Sequence, residues 1–220
     1  DDAQMIFESL NSTGLDLSEA DKVRNFILMN LPSDLQEEYY SDYWNVIEKN
    51  TDYKVSDFIR YYLAAKVSKT PAMKRVYPEF RKYVFKRYCD ESKGAFGIKT
   101  RPLFEDMLAY SKHYRTCLHP DTGVEGLDRA LRSLALFDAS VLFPYLLNLL
   151  EYRQQGSLSD DTTTGILWML DSYLFRRWAC SVPANALNKI FETLHGDVLR
   201  NMGDGESYSE VVSYLMTHKG

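Results

Sequence analysis

The sequence predicts an all-α protein, an irregular multi-helix bundle of about nine to eleven helices. Apolar residues recur every three or four positions along most of the 220 residues, which is typical of helices packed on one face. No alternating strand pattern with a hairpin turn interrupts them. Because 45% of the residues are hydrophobic and 14% aromatic, the chain is expected to fold into a packed globule and not to be disordered.

Serine side chains mark several predicted helix starts in the first third of the chain. Ser18 with Asp21 three residues later resembles a capping box, in which the two residues satisfy each other's backbone N–H groups. Ser33 or Asp34 is expected to cap the next helix, and Ser56 the one after it. The turn between these last two helices is predicted at residues 51–54.

The segment Met73–Tyr88 separates into an apolar and a basic side when its residues are placed 100° apart. The predicted apolar side holds Met73, Val76, Tyr77, Phe80, Tyr83, Val84 and Tyr88. The predicted basic side holds Lys74, Arg75, Arg81, Lys82 and Lys86. Pro78 falls inside the segment, so either the helix is kinked there or its regular part begins nearby.

The second half of the sequence predicts further helices joined by short loops. Thr100 followed by Pro102 predicts a helix that runs to about Leu118. Two helices are expected over 127–137 and 139–152. Ser159 is expected to cap a long helix to Cys180, whose predicted buried side holds Ile166, Met169, Leu170, Tyr173, Leu174 and Trp178. A further helix is predicted over 184–200, and Ser207 is expected to cap the last one.

Composition excludes several functional classes. No stretch approaches the roughly 18 uninterrupted apolar residues of a membrane span, and no signal peptide opens the chain, so we expect a cytoplasmic location and no membrane partner. Cys89, Cys117 and Cys180 fit neither a disulfide framework nor a metal clip. The four histidines lack metal-ligand spacing, and no nucleophile elbow or phosphate-binding loop occurs. We therefore expect no metal, no cofactor and no catalytic residue in this chain.

Charge is segregated along the sequence. The net charge is −5, yet the segment from Lys66 to Arg115 carries 13 Lys and Arg against 5 Asp and Glu. Such a basic segment is compatible with two interpretations. It could track a DNA backbone by neutralising phosphates, or it could be a solvated basic surface, which is the commoner outcome for a run of charge.

The N-terminal region resembles a signature of the GmrSD-type restriction proteins. The matching residues are Phe7, Glu8, Leu10, Asn11, Gly14, Leu17, Asp21 and Asn25. A second, weaker similarity to the late helical part of that family covers Tyr173–Cys180 and Asn185–Phe191. Together the two matches bracket roughly residues 5–195.

The family resembled has an N-terminal ParB/sulfiredoxin-like domain for nucleotide handling, then helices, and often a C-terminal nuclease domain. Its upstream and downstream catalytic motifs do not occur in this sequence. The resemblance therefore implies a non-catalytic helical midsection of a longer parent, with the missing N- and C-terminal domains as partners. A nucleoside triphosphate and a divalent metal are expected only for that parent.

The resemblance also implies a domain organisation. Residues 1–30 would end the nucleotide-handling region, 31–118 would form a first helical subdomain that holds the basic segment 66–115, and 119–220 would form a second one. Within residues 1–30, the signature residues Phe7, Asn11, Gly14, Asp21 and Asn25 are expected to face the nucleotide domain. The last four of them would form a polar corner. The alternative interpretation is a capping motif between two helices.

Arg176 and Arg177 stand out on an otherwise apolar helix. A guanidinium can hold a phosphate or a carboxylate through two parallel hydrogen bonds, so the pair is a candidate anion clamp. The alternative is a structural salt bridge to one of the many acidic residues. A helical protein-interaction module without a nucleic-acid role is the competing functional hypothesis for the whole chain.

Overall fold

The computed structural model describes residues 17–29, 31–89, 97–137, 140–183, 186–205 and 207–218. These ranges contain helices and no strand, and the prediction of an all-α fold is confirmed. One isolated antiparallel bridge joins Cys89 and Ile98. None of the helices in these ranges has the length and apolarity that crossing a membrane requires.

The helices follow one another with short connections. In chain order they are α1 (Glu19–Leu28), α2 (Ser33–Tyr39), α3 (Asn45–Asn50), α4 (Val55–Val67), α5 (Val76–Tyr88), α6 (Thr100–Leu118), α7 (Glu125–Ala135), α8 (Phe143–Gln154), α9 (Asp160–Ala179), α10 (Leu187–Asn201) and α11 (Tyr208–His218). A π-helical segment, Tyr40–Trp44, connects α2 and α3. Short 3₁₀ turns, Met73–Arg75 and Ser140–Leu142, precede α5 and α8.

The chain folds into two compact units. The described residues of Asp1–Leu63 and Pro71–Lys112 belong to unit 1, and those of Ala64–Thr70 and His113–Gly220 belong to unit 2. The three-part organisation that the family resemblance implies stays a prediction.

Three of the predicted serine caps are confirmed. Ser18 and Asp21 form the reciprocal capping box at the start of α1. The Ser159 hydroxyl accepts a hydrogen bond from the Thr162 N–H at the start of α9. Ser207 accepts from the Glu210 N–H, and the Glu210 carboxylate accepts from the Ser207 N–H, which is a second capping box.

Two other predicted caps are wrong. At α2 the capping position is Pro32, and no side chain bonds to the free N–H groups there. Ser56 lies inside α4, which already begins at Val55. Its hydroxyl accepts a hydrogen bond from the Ala20 N–H at 3.1 Å, so it serves the start of α1 and not the start of its own helix.

The core of unit 1 is aromatic. Its largest fully buried side chains are Trp44, Phe58, Tyr62, Phe80 and Phe104. Rings meet edge to face or tilted, for example with centroids 5.5 Å apart for Tyr62 and Tyr110. The core therefore combines apolar area with the directional preference of ring pairs.

The core of unit 2 is mainly aliphatic. Helix α9 packs against α7, α8 and α11, and α10 packs against α8 and α11. The predicted buried side of α9 is confirmed for Ile166, Leu170, Tyr173 and Leu174. It is wrong for Trp178, which is 71% exposed. On a 100° wheel Trp178 stands at the edge of the buried arc, so its indole projects past the helices that cover the rest.

Substitution of glycine by alanine is expected to have opposite effects on stability at two positions of unit 2. Gly165 lies within α9 and Gly156 has φ +77°, and an added Cβ would meet no atom within 4 Å at either position. We expect Gly165→Ala to raise the free energy of unfolding by about 1 kcal/mol, because alanine is the better helix former. Gly156→Ala should lower it by about 1 kcal/mol, since the left-handed conformation penalises a Cβ.

Denaturant unfolding of the two variants beside the parent chain measures both effects. Since neither methyl group has a neighbour, packing cannot explain a difference between them. Equal changes of one sign would contradict the assigned backbone conformations.

Candidate nucleic-acid interface

Helix α5 presents an exposed basic face within unit 1. Its opposite side is buried through Val76, Phe80 and Val84. Pro78 lies in the first turn, where a missing N–H breaks no helical hydrogen bond, so the regular helix begins near it. The exposed basic side chains of the helix and of the 3₁₀ turn before it are Lys74, Arg75, Lys82, Lys86 and Arg87.

Aromatic packing against α1 holds α5 in place. The Phe26 ring of α1 meets the rings of Tyr77, Phe80 and Phe85 edge to face, at centroid distances of 6.1, 6.5 and 5.9 Å. The Tyr77 backbone N–H donates to the Glu19 carboxylate at 2.7 Å. This bond satisfies one of the N–H groups that the first turn of a helix leaves without an intrahelical partner.

Arg81 departs from the predicted basic side. Its side chain is half-buried, and its guanidinium carbon lies 5.5 to 5.8 Å from the ring centroids of Phe26, Tyr77 and Phe85. A cation over aromatic faces contributes favourable electrostatic energy to the packing of the two helices. Arg81 therefore belongs to the junction of α1 and α5.

The remaining face carries largely uncompensated charge. Arg75 lies 3.3 Å from Glu79, the one acidic residue of α5, and both side chains are well exposed. Lys82 and Lys86 stand one turn apart on the same side, about 6 Å from each other at Cβ. Within the described part of the chain, no carboxylate pairs with Lys74, Lys82 or Lys86.

The other basic residues of the segment 66–115 fall in several parts of the chain. Lys66 and Lys69 belong to unit 2, and Lys93 lies outside the described residues. Lys99 is exposed in unit 1. The Arg101 guanidinium lies over the Tyr39 ring, 5.7 Å from its centroid, and 4.0 Å from the Glu38 carboxylate.

The residues of the family signature fall partly within the structure. Phe7, Asn11 and Gly14 lie outside the described residues. Asp21 makes the capping box with Ser18 and an ion pair of 3.1 Å with Arg24, which agrees with the capping interpretation. Asn25 is half-exposed, and its Oδ1 accepts from the Arg24 Nε at 3.4 Å.

Arg176 and Arg177 point into different surroundings in unit 2. Arg177 donates to the Tyr173 hydroxyl at 3.2 Å and to the Pro183 carbonyl at 2.7 Å. Both of its terminal nitrogens therefore already make hydrogen bonds within unit 2. Arg176 is exposed and donates to the Ser172 carbonyl at 3.2 Å. No carboxylate of the described residues pairs with either guanidinium, so the salt-bridge interpretation finds no support.

A shallow cavity of about 470 Å³ adjoins these arginines. Its walls come from α9 and α11 and include Tyr173, both arginines, Met216 and Thr217. The buried Arg177 Nε has no hydrogen-bond partner among the described residues. The cavity therefore has basic and apolar walls, and both guanidinium groups line it.

Sequence reasoning missed a partly buried cluster in unit 1, in which two tyrosines bond to Asp106. The Asp106 carboxylate accepts hydrogen bonds from the Tyr62 hydroxyl at 2.6 Å and from the Tyr88 hydroxyl at 3.0 Å. Burial, reinforced by the nearby Asp106 charge, raises the pKa of Tyr62 and Tyr88. Because these residues come from α4, α5 and α6, no local pattern could have predicted their meeting. The bonds keep the carboxylate satisfied and attach α5 to the core.

The cysteine and histidine residues within the described ranges form neither a metal cluster nor a disulfide. No three His, Cys, Asp or Glu side chains of the described ranges cluster as a metal site. The three cysteines are not in disulfides, and burial raises the pKa of the Cys117 thiol to about 12. A thiol of that pKa is protonated at neutral pH and is a poor nucleophile.

Comparison of the chain with protein-family models, with curated protein sequences and with solved structures yields no match. The resemblance to the GmrSD-type proteins accordingly rests on the residues named above.

Proposed function

We propose that this chain is the helical, non-catalytic module of a GmrSD-like, nucleotide-dependent restriction or anti-phage protein. In this proposal it links the nucleotide-handling and nuclease domains of its parent, and α5 contacts the DNA backbone. Nucleoside triphosphate and divalent metal would bind the parent's other domains, and the parent would act in the cytoplasm. The module itself would need no cofactor.

The exposed basic face of α5 is the observation that carries the DNA part of this proposal. Four of the five exposed cationic groups, those of Lys74, Arg75, Lys82 and Lys86, are the proposed phosphate contacts, and α5 holds the single carboxylate of Glu79. From Arg75 to Lys86 the face extends about 16 Å along the helix, at 1.5 Å per residue. Successive phosphates of one DNA strand are spaced closely enough for several to lie within that length.

The packing of α1 on α5 supports the link to the family signature. Asp21 and Asn25 of the signature lie on α1, whose Phe26 and Glu19 contact α5 directly. A domain that touches α1 would therefore be mechanically connected to the basic face through a ring-packed junction. Such a connection is what a linking module requires.

We expect the chain to bind double-stranded DNA weakly and with strong salt dependence. With four phosphates neutralised, the slope of log Kobs against log salt concentration should be about −3.6, because each contact releases about 0.9 counterion. The variant Lys82→Gln/Lys86→Gln should halve the slope to about −1.8 and weaken binding at least about tenfold at low salt. Fluorescence anisotropy of a labelled duplex across a salt series measures both quantities.

A matched control removes the same charge elsewhere in unit 1. Lys49→Gln/Lys54→Gln alters two lysines outside α5, so the slope should stay near that of the parent chain. If both double variants change binding equally, only net charge matters and α5 is not the contact. If the chain binds no DNA at low salt, the DNA part of the proposal fails.

A helical protein-interaction module is the second candidate function. Exposed aromatic side chains on α9 favour it, since Phe175 and Trp178 are 54% and 71% exposed. This candidate predicts that the charge variants of α5 leave partner binding unchanged. It requires no nucleotide-handling or nuclease domain in the parent protein.

A further inference from the structure

Helix α9 has an open face that the rest of unit 2 does not cover. On a 100° wheel seven exposed residues of the helix fall within an arc of about 100°. They are Asp161, Gly165, Trp168, Ser172, Phe175, Arg176 and Ala179. Along this face the large side chains of Trp168 and Phe175 alternate with the small residues Gly165 and Ser172. Such an alternation of ridges and gaps allows another helix to approach closely.

The charges on this face occupy opposite ends of the helix. Asp161 lies in the first turn and Arg176 in the last turn, about 22 Å apart along the axis. Asp161 has no ion pair within the described residues. Arg176 makes one hydrogen bond, to the Ser172 carbonyl of its own helix. Both groups are thus available to a partner.

We infer that the open face of α9 docks on the same face of a second copy of this chain, with the two helices antiparallel. The two-fold axis would pass between Trp168 and Met169. Each Asp161 would then meet the other copy's Arg176, and each Gly165 would lie opposite the other copy's Ser172. Each Trp168 would pack beside its counterpart near the axis, where a buried aromatic contributes most to binding.

The charge arrangement selects this partner over others. A complementary helix must present a base opposite Asp161 and an acid about 22 Å away opposite Arg176, which is the order α9 itself has when reversed. A parallel copy would place like charges together, and a uniformly acidic peptide would repel Asp161. In antiparallel packing the positive end of each helix dipole also lies beside the negative end of the other, which is the favourable arrangement. A single helix pair buries a modest area, so we expect a weak, concentration-dependent dimer.

Sedimentation velocity and light scattering of the full chain, from about 1 to about 300 µM, test this inference. The parent chain should shift from monomer to dimer as concentration rises. Arg176→Asp and Asp161→Arg should each raise the dimer dissociation constant at least about tenfold, because each opposes two pairs of like charges across the axis. The double variant Asp161→Arg/Arg176→Asp should restore dimerisation, since it re-forms both ion pairs with their signs exchanged.

Two tryptophan variants on the same helix complete the test. Trp168→Ala should abolish the dimer within this range. Trp178→Ala should weaken it far less, because the Trp178 indole lies outside the arc and touches the face through the Phe175 ring, at a centroid distance of 6.0 Å. Circular dichroism confirms that each variant keeps its helix content. A chain that stays monomeric throughout, or a double charge reversal that stays as weak as the single ones, overturns the inference. Loss of DNA binding by the α5 variants bears on neither result, since those residues lie in unit 1.

Discussion

Phe80→Ala is expected to destabilise unit 1 by about 3 to 5 kcal/mol, the range for truncating a buried aromatic side chain. Phe80 has no exposed surface, and its ring meets Phe26 edge to face at 6.5 Å. The substitution leaves a cavity between α5 and α1 that the surrounding rings cannot easily fill. Denaturant unfolding of the full chain, with hydrogen exchange read in α1 and α5, measures the loss.

Phe85→Ala is the matched control on the same helix. The Phe85 ring also touches Phe26, at a centroid distance of 5.9 Å, but its side chain is 37% exposed. Water can occupy the space it leaves, so the cost should be only about 1 kcal/mol. Equal costs for the two phenylalanines would mean that Phe80 does not anchor α5. Faster exchange in unit 2 alone would contradict the assignment of the effect to unit 1.

The same helix shows which parts of the candidate site the sequence could predict. The 100° wheel separated Val76, Phe80 and Val84 from Lys82 and Lys86, because a single helix exposes one side and buries the other. The wheel failed for Arg81. Its environment depends on Phe26, a residue of another helix, whose ring receives the guanidinium.

Helix starts follow the same distinction between local and distant contacts. The caps at Ser18 and Ser207 involve residues within four positions of each other in sequence, so the local pattern sufficed to predict both capping serines. Ser56 has an equally good capping residue type, yet its partner is the N–H of Ala20, 36 residues away. Only the tertiary structure decides which N–H group such a hydroxyl serves.

Buried polar clusters lie beyond single-sequence reasoning for the same reason. Tyr62 and Asp106 are 44 residues apart and meet only because α4 and α6 pack together. His195 and Tyr208 belong to α10 and α11, and nothing in their spacing predicts a contact. Burial in the second of these pairs lowers the pKa of His195.

Unit 2 is expected to lose about 2 kcal/mol of stability between pH 7 and pH 5 because of His195. Burial lowers the pKa of His195 to about 4, below its value of about 6.5 in an unfolded chain. Between these two values the unfolded chain binds a proton that the folded chain does not, so stability falls as the pH falls. The imidazole is enclosed by the Tyr152 and Tyr208 rings, with centroids 5.6 and 5.8 Å away.

His195→Gln should flatten this pH dependence, which unfolding free energies measured at pH 5, 6 and 7 would show. A smaller slope should persist, because burial also lowers the pKa of His113, although its 2.8 Å contact with the Glu151 carboxylate opposes that shift. Tyr208→Phe tests the cause. It removes the hydroxyl that lies 2.8 Å from the His195 Nδ1 but keeps the ring that excludes water.

If burial lowers the pKa of His195, Tyr208→Phe retains the steep loss of stability toward pH 5. If the hydrogen bond were responsible, the slope would flatten as it does in His195→Gln. A parent chain whose unfolding free energy is the same at pH 5 and pH 7 would contradict both accounts, and would mean that water reaches the imidazole in the folded protein.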